Sequence, residues 1–325
     1  PAERRPDIPD VVSAIVMKLL AKTAEDRYQT AAAVERDLRR CLAHWEAQQR
    51  IDAFALAEDD TPDRLVIPEQ LYGRAREIDT LLGAFERVVT SGTPELVLVS
   101  GYAGIGKSSV VNELHKVLVP PRGLFASGKF DQYKRDIPYA TLAQAFQSLI
   151  RNLLGKSEPE LDTWRAALRQ ALEPNGRLMV DLVPALTLLI GDQPPVPELA
   201  PQDAQRRFQL VLRRFIGVFA RPDRPLALFL DDLQWLDAGT LAVLEDLLTQ
   251  RDVPHVLLIG AYRENEIDAA HPLRRTLDTI RASGARVQEI SFGPRAGHEV
   301  GQLLADALRA TRASEAPMAQ LVHNK

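Results

Sequence analysis

Gly101-Tyr-Ala-Gly-Ile-Gly-Lys-Ser108 is the stretch that decides the fold of this chain. It matches the phosphate-binding pattern Gly-x-x-x-x-Gly-Lys-[Ser/Thr] in full, and it lies between an apolar run, residues 96–100, and a stretch of helical character that begins at Ser108. Glycines in such a loop let backbone N–H groups turn towards an anion, and the free N–H groups at the start of the helix point to the same place. The pattern and its strand–loop–helix context therefore predict a phosphate-binding site rather than a glycine-rich turn with an exposed lysine.

The residues of this loop have different expected contacts with a nucleotide. Lys107 is expected to reach the β- and γ-phosphates, and the hydroxyl of Ser108 is expected to hold Mg²⁺. The predicted nucleotide-binding residues of the loop are Gly101, Ala103, Gly104, Ile105, Gly106, Lys107, Ser108 and Ser109.

Two acidic residues follow a second apolar run, Leu226–Leu230. A buried strand that ends in acids delivers them to the carboxyl edge of a parallel sheet, which is where ligands bind in open α/β folds. Asp231 is expected to bind Mg²⁺, and Asp232 is expected to polarise the attacking water. The alternative is a turn in which an aspartate caps the next helix, and for Asp237 both roles stay open.

A third apolar run, residues 256–261, ends in Tyr262-Arg263-Glu264. A guanidinium suits a bidentate contact with phosphate, so Arg263 is a candidate to contact the γ-phosphate, with a surface arginine as the alternative. Two interpretations are left open for three basic residues, Lys129, Lys134 and Arg135. These residues either approach the phosphates or a partner, or they belong to a solvated loop.

Short apolar runs alternate with helical stretches after residue 95, which is typical of a parallel sheet with helices on both faces. The predicted strands are Glu95–Ser100, Gly123–Gly128, Leu226–Asp231, Val256–Ala261 and Val287–Ser291. Residues 139–222 are predicted to be mostly helical. Trp164 and the stripe Phe208–Phe219 are expected in the core of this part rather than on an exposed partner surface.

Two helices are predicted ahead of this region. Residues 9–22 have apolar side chains at helical spacing, with Pro9 in the first turn, and Thr30 is the expected N-cap of a second helix. The predicted buried faces are Val12, Ile15, Val16, Leu19 and Leu20 in the first helix, and Val34, Leu38, Cys41, Leu42 and Trp45 in the second. Two helices of this size need a partner surface to bury a core. Residues 57–68 are acidic and contain two prolines, which is typical of a linker.

Composition excludes several classes of protein. The 325 residues predict about two domains, and the fractions of hydrophobic (46%) and charged (26%) residues are near the globular averages, so wholesale disorder is excluded. The longest apolar runs are far too short to span a bilayer, so no membrane segment is predicted. The formal net charge of −4 gives no reason to expect bulk attraction to nucleic acid. The single cysteine, Cys41, fits a reducing compartment, so a cytoplasmic location is expected.

With these motifs in place, the chain resembles the STAND-type, AAA-related signalling ATPases. The stretches with this resemblance are Leu71-Tyr-Gly-Arg74 with Glu77, the phosphate loop, Phe229-Leu-Asp-Asp-Leu-Gln-Trp-Leu-Asp237 and Gly260-Ala-Tyr-Arg-Glu-Asn-Glu266. More closely, the chain resembles very large bacterial multi-sensor signalling proteins. In those, a serine/threonine kinase domain precedes this ATPase, and helical repeats, a GAF sensor and often a histidine kinase follow it. The stretches that suggest the closer match are Gly128–Tyr139, Gln193–Leu199, Ile15–Lys22 and Glu25–Gln29.

The resemblance implies a fold and a domain order. It implies an α/β P-loop NTPase of the AAA/STAND type over residues 69–291, with a parallel sheet of order 5-1-4-3-2 and a helical insertion at about 139–222. Residues 1–46 would be the last helices of a protein-kinase C-lobe, 47–68 a linker, and 292–325 the start of a truncated helical lid. The resemblance further implies that the adenine lies near Tyr72, Gly73 and Arg74.

The kinase resemblance covers only the end of a kinase lobe. In such lobes the arginine at the position of Arg27 pairs with a glutamate of the activation segment, which this sequence lacks, so Arg27 is expected to be exposed and unpaired. The kinase glycine-rich loop, its strand lysine and the His-Arg-Asp and Asp-Phe-Gly motifs are also missing. Phosphotransfer to protein is therefore not expected from this chain alone.

The resulting prediction is an ATP-binding and ATP-hydrolysing switch module of a signal-transduction protein, with ATP and Mg²⁺ at the carboxyl edge of the sheet. Expected partners are ATP and the other domains of the parent protein, and self-association is left open. Three alternatives are kept: a nucleotide-regulated scaffold with negligible turnover, a serine/threonine kinase through an upstream domain, and a nucleic-acid-remodelling ATPase. The acidic net charge argues against the last of these.

Overall fold

The computed structural model describes residues 5, 7–23, 26–58, 60, 73–134, 136–250, 252–293 and 297–308. They fall into two compact units. One contains the described residues up to Gly73 and those from 297 onwards, and the other contains those of Arg74–Pro294. The larger unit holds the sheet, and we refer to it below as the core unit.

The sheet of the core unit has five parallel strands: β1 (Glu95–Gly101), β2 (Leu124–Lys129), β3 (Leu226–Asp231), β4 (Val256–Tyr262) and β5 (Arg286–Phe292). The spatial order is β2-β3-β4-β1-β5. It is the predicted order read from the other edge, so the fold prediction is confirmed. Each predicted strand is found to within one residue at each end.

The helices, numbered in chain order, are α1 (Asp10–Leu19), α2 (Ala31–Gln48), α3 (Ala75–Ser91), α4 (Lys107–Arg122), α5 (Ala140–Leu153), α6 (Glu158–Leu172), α7 (Gly176–Leu182), α8 (Thr187–Ile190), α9 (Pro201–Phe219), α10 (Ala238–Thr249), α11 (Pro272–Ala282) and α12 (Gly297–Leu308). Every residue of β1 and β3 is buried, as expected for strands of a parallel sheet that is covered on both faces. Within the described residues, no helix has the length and apolar character needed to cross a membrane.

Helices α5 to α9 form the predicted insertion, and its aromatic residues are core residues as expected. Trp164 and Phe219 stack with ring centroids 5.6 Å apart, and Phe146 and Phe215 lie 4.9 Å apart. Each of these four side chains is buried, and burying a side chain of this size stabilises a fold by about 2–3 kcal/mol. The insertion shares one hydrophobic cluster with the sheet, which fixes the start of α5 beside the end of β2.

In the smaller unit, the Thr30 cap is confirmed, because the Thr30 hydroxyl oxygen accepts a hydrogen bond from the N–H of Ala33 at 3.1 Å. The predicted buried face of α2 is wrong in part. Cys41 is buried, but Leu38, Leu42 and Trp45 are exposed by 46%, 56% and 44%. The buried stripe instead comprises Ala33, Asp37 and Cys41.

The reason for the rotated face is the buried carboxylate of Asp37. Its Oδ2 accepts hydrogen bonds from the Tyr28 hydroxyl at 2.5 Å and from the N–H of Ala57 at 2.9 Å, which turns this side of α2 inwards. In α1, Val11 and Ile15 are buried and Leu19 and Leu20 are exposed, and Pro9 is the N-cap rather than a first-turn residue.

The beginning of the predicted linker belongs to this helix pair. Asp60 is buried, and its carboxylate accepts hydrogen bonds from the N–H of Gln29 (2.7 Å) and from the N–H and hydroxyl of Thr30 (3.0 and 2.9 Å). Residues 61–68 lie outside the described residues. Arg27 is exposed, as expected, but it is not without partners, since its guanidinium donates to the carbonyl oxygens of Ala21 (2.8 Å) and Lys22 (3.4 Å).

Candidate phosphate-binding site

The phosphate loop connects β1 to α4 through backbone conformations that favour glycine. Gly101, Gly104 and Gly106 have φ values of 150°, 75° and 100°. A Cβ atom at Gly101 would also lie 2.9 Å from Cβ of Phe292, so a side chain there would collide with β5. The loop ends at Gly106, and Lys107 is the first residue of the 16-residue helix α4. The N-terminus of α4 therefore lies at the loop.

Lys107 is held over this loop. Its buried ammonium donates to the carbonyl oxygens of Gly101 at 2.8 Å and Tyr102 at 2.9 Å. Burial lowers the pKa of Lys107, and the carboxylates of Asp231 and Asp232 oppose this shift. The result is a positive charge at the mouth of the loop with two carboxylates nearby.

Ser108 and Asp231 meet although 123 residues separate them. The Ser108 hydroxyl donates to Oδ2 of Asp231 at 2.8 Å. Asp231 is the last residue of β3, which is two strands away from β1 in the sheet. A hydroxyl and a carboxylate are hard oxygen ligands of the kind that Mg²⁺ takes from protein, beside phosphates and water. Among the described residues no group of three or more His, Cys, Asp or Glu could hold a metal.

Asp232 has a strained backbone and a crowded carboxylate. Its φ and ψ are 58° and 48°, in the left-handed region, and its N–H donates to Oδ1 of Asp231 at 3.0 Å. Oδ1 of Asp232 accepts a hydrogen bond from Nε2 of Gln234 at 3.0 Å, and Oδ2 lies 3.1 Å from Nζ of Lys129. Burial would raise the pKa of Asp232, but the hydrogen bonds from Gln234 and Lys129 and the charges of Lys129 and Arg263 outweigh burial and lower it.

Lys129, whose role the sequence left open, is thus one of the residues that contact Asp232. It pairs with Asp231 in the register of β2 and β3, and its ammonium reaches Asp232. Lys129 is the last residue of β2, and its side chain is 65% exposed although it contacts Asp232 and lines the cavity described below, so its approach to the phosphates stays a prediction. The side chain of Lys134, and Arg135 as a whole, lie outside what the structure describes.

Arg263 follows β4, which lies between β1 and β3. Its Nη1 donates to Oε1 of Glu266 at 2.8 Å, and its Nε lies 3.7 Å from Oδ1 of Asp232. The hydrogen bond and charge of Glu266 raise the pKa of Arg263, so the guanidinium stays charged.

These side chains surround one cavity of about 220 Å³ at the carboxyl edge of the sheet. Its lining residues are Ala103, Gly104, Ile105, Gly106, Lys107, Ser108, Ser109, Lys129, Asp231, Asp232 and Arg263. Of the predicted loop residues only Gly101 does not line the cavity, but its carbonyl holds Lys107. A second cavity of about 590 Å³ shares Lys129 and Asp232 with the first and has Phe130 and Trp235 in its wall.

Comparison with known proteins agrees with this geometry. The family model of the AAA ATPase domain matches residues 70–259, more than half of the chain. The chain belongs to the AAA ATPase domain family. Family membership implies nucleotide binding, and the sheet, loop and acids of the AAA domain are those of a P-loop NTPase.

The similar full-length proteins are histidine kinases. Over 74% of its length the chain is 31% identical to hybrid signal transduction histidine kinase G of Dictyostelium discoideum and 22% identical to histidine protein kinase 1 of Candida albicans. It covers only 8% and 11% of those two proteins. Peroxide stress-activated histidine kinase mak3 of Schizosaccharomyces pombe is 20% identical, and 16% of its length is covered. The chain is thus similar to a small part of each of these much longer histidine kinases.

Similar solved structures include Cdc6p from Pyrobaculum aerophilum, with 14% identity and a TM-score of 0.41 over 75% of this chain and 51% of that one. The Orc1 protein of Aeropyrum pernix, solved in complex with DNA, has 17% identity and a TM-score of 0.39 over 77% of this chain and 51% of that one.

Two further residues of the AAA domain have contacts outside the cavity: Asp237, whose role the sequence left open, and Arg74, a predicted neighbour of the adenine. Asp237 is the N-cap of α10, where Oδ1 accepts from the N–H of Thr240 at 2.8 Å, and it does not line the cavity. Arg74 is buried, pairs with Glu77 at 2.9 Å, donates to the carbonyl oxygen of Gly293 at 2.9 Å and stacks on Phe292. Arg74 therefore ties the start of α3 to the end of β5. Tyr72 lies outside the described residues, so the adenine contact stays a prediction.

Gln234 of the AAA domain was missed by the sequence-based site prediction. It is 3% exposed and contacts both Asp232 and the backbone of Arg263. The only signal in the sequence is its place in Asp-Asp-Leu-Gln, two residues after Asp232.

Proposed function

We propose that the chain is an ATP-binding and ATP-hydrolysing switch module, of the STAND kind, in a signal-transduction protein. The observation that supports this proposal best is the convergence of Lys107, Ser108, Asp231, Asp232 and Arg263 on one cavity, from two strand ends and one helix start. These residue types match the needs of phosphoryl transfer to water, which depends on positioning and on charge stabilisation.

Each of these residues has a definite task in the proposed reaction. The ammonium of Lys107 and the N–H groups at the start of α4 bind the phosphates, and Ser108 and Asp231 hold Mg²⁺. When bound, Mg²⁺ neutralises charge that develops on the phosphate oxygens. The ionised carboxylate of Asp232 accepts a proton from the attacking water, whose oxygen bonds to the γ-phosphorus as the bond to ADP breaks. The guanidinium of Arg263 gives up its contact with Glu266 and contacts the γ-phosphate instead.

The proposed context is a large multi-sensor protein of the kind that the sequence resembles, with a serine/threonine kinase domain before the AAA domain. In this proposal α1 and α2 are the last helices of the kinase lobe. The exposed apolar side chains of Leu38, Leu42 and Trp45 are consistent with helices that belong to a larger lobe. The three histidine kinases to which the chain is similar support a signalling role.

The binding part of the proposal is tested by thermal unfolding with and without ATP and Mg²⁺. Bound ligand at 100 times its Kd stabilises a protein by about 2.7 kcal/mol, so the wild type should melt several degrees higher with nucleotide. Lys107→Ala should remove this shift, whereas Lys156→Ala, at an exposed lysine of the insertion, should keep it. An unchanged shift in Lys107→Ala would contradict the assignment of the phosphate loop.

The hydrolytic part is tested by phosphate release. Asp232→Asn should keep the thermal shift but lower kcat about 100-fold or more, since a general base contributes factors of this size. Turnover like that of the wild type in Asp232→Asn would remove Asp232 from the reaction. If the wild type itself binds ATP tightly and releases no phosphate, the nucleotide-regulated scaffold is the better description.

A further inference from the structure

Gln234 joins two parts of the proposed site that are far apart in sequence. It lies in a short 3-10 turn, Leu233–Trp235, between β3 and α10, and its side chain is buried. Nε2 donates to Oδ1 of Asp232 at 3.0 Å, and Oε1 accepts from the N–H of Arg263 at 3.2 Å. One amide thus connects the carboxylate beside β3 to the backbone at the end of β4.

The orientation of this amide is fixed by its partners. The N–H of Arg263 can only donate, so Oε1 must face it and the NH₂ group must face Asp232. A flipped amide would set oxygen against carboxylate and N–H against N–H, and would leave buried polar groups without partners. The arrangement therefore holds the Asp232 carboxylate in one place relative to β4.

The turn that carries Gln234 is also held from α11. Nδ1 of His271 accepts from the N–H of Leu273 at 3.2 Å, so in the neutral ring Nε2 carries the proton. Nε2 lies 3.3 Å from the main-chain oxygen of Gln234 and can donate to it. Three elements, β3, β4 and α11, thus meet at Gln234.

We propose that Gln234 is a positioning residue for ATP hydrolysis, which keeps the carboxylate of Asp232 in register with the end of β4 that carries Arg263. This inference rests on the proposed function, because it presupposes that Asp232 acts on the attacking water. Gln234 does not line the phosphate cavity, so it acts through Asp232 and Arg263. Loss of the amide should lower the rate of the chemical step and leave nucleotide binding intact.

Two substitutions separate the two bonds of the amide. Gln234→Met keeps the length of the side chain and loses both bonds. Gln234→Glu keeps an acceptor for the N–H of Arg263 but has no donor for Asp232. Gln147→Met is the matched control, since Gln147 is a partly buried glutamine of α5 that accepts from the N–H of Ala185, away from the site.

The experiment measures kcat and KM for ATP in the full chain, together with hydrogen exchange at the backbone N–H of Arg263. We expect kcat to fall about tenfold or more in both Gln234 variants, with KM within about threefold of wild type. Exchange at Arg263 should rise in Gln234→Met and stay slow in Gln234→Glu. Gln147→Met should match the wild type in all of these quantities.

Each contrary result has a distinct meaning. A wild-type kcat in Gln234→Glu would show that the bond to Asp232 is not used and would overturn the inference. Wild-type kinetics in both variants, with only a lower melting temperature, would overturn it as well and make Gln234 a structural residue. Absence of turnover in the wild type would contradict the proposed function itself, and the inference with it.

Discussion

At the scale of single residues, the balance of charges around Asp232 decides how the proposed site works. Burial favours the neutral acid, and Gln234, Lys129 and Arg263 favour the carboxylate. The effect of these three side chains is larger than the effect of burial, so the pKa of Asp232 is lowered and the side chain is ionised at neutral pH. A base that must be ionised loses activity as the pH falls through its pKa, so the low pKa extends activity towards acid.

Removal of Lys129 should therefore change the pH dependence of turnover. In Lys129→Met the carboxylate loses an ammonium 3.1 Å away, its pKa rises, and the acid limb of kcat against pH should move to higher pH. The measurement is phosphate release between about pH 3 and pH 8, a range that includes the ordinary aspartate pKa of about 3.9. Lys156→Met is the control, and an acid limb unchanged in Lys129→Met would show that the pair does not govern Asp232.

At the scale of elements, Asp237 caps the N-terminus of α10 and also accepts a hydrogen bond at the start of α5. Oδ1 of Asp237 accepts from the N–H groups of Thr240 and Tyr139, the latter at 3.2 Å, and Oδ2 accepts from the Thr240 hydroxyl at 2.6 Å. Tyr139 precedes α5, so one carboxylate accepts hydrogen bonds at the starts of both α5 and α10.

Asp237→Ala should lower the free energy of unfolding by about 2–4 kcal/mol, because a helix cap is lost and buried donors are left without partners. Ser157→Ala is a matched control at the exposed start of α6, where the expected cost is about 0.5–1 kcal/mol. Denaturant unfolding measures both. Because Asp237 does not line the cavity, kcat of the folded variant should stay within about twofold, and a selective loss of kcat would instead place Asp237 in the reaction.

The elements of the core unit were predictable because their signals are local. Strands buried on both faces are continuous apolar runs, and Gly101 and Asp231 mark two of their ends. The face of α2 was not predictable in the same way. Periodicity does not separate a stripe at Leu38 and Leu42 from one a residue earlier, and the choice depends on bonds from Tyr28 and Ala57 to Asp37.

The site was predictable where one motif contains the residue, and not where strands distant in sequence must pair. Lys107, Ser108, Asp231 and Asp232 belong to recognisable patterns. The contact of Lys129 with Asp232 follows only from the pairing of β2 with β3, about 100 residues later in the chain. Gln234 likewise needs the position of β4 next to β3, so no pattern within a single segment indicates its role.

At the scale of the whole molecule, each unit has hydrophobic core residues of its own. Val11, Ile15 and Cys41 form a cluster in the smaller unit, and a larger cluster in the core unit joins the sheet to the helical insertion. All residues that line the phosphate cavity belong to the core unit. In the proposed function, phosphate binding is therefore expected to depend on residues of the core unit.

Hydrogen exchange with and without ATP and Mg²⁺ should reflect this division. Bound nucleotide stabilises what it contacts, so exchange should slow several-fold at the residues that line the cavity, among them residues 103–109, 231–232 and 263. Exchange in α1 and α2 should be unchanged, since neither helix contributes to the lining. Lys107→Ala should show no slowing anywhere. Equal protection of α1 and α2 in the wild type would contradict a switch confined to the core unit and would mean that nucleotide acts on the helix pair as well.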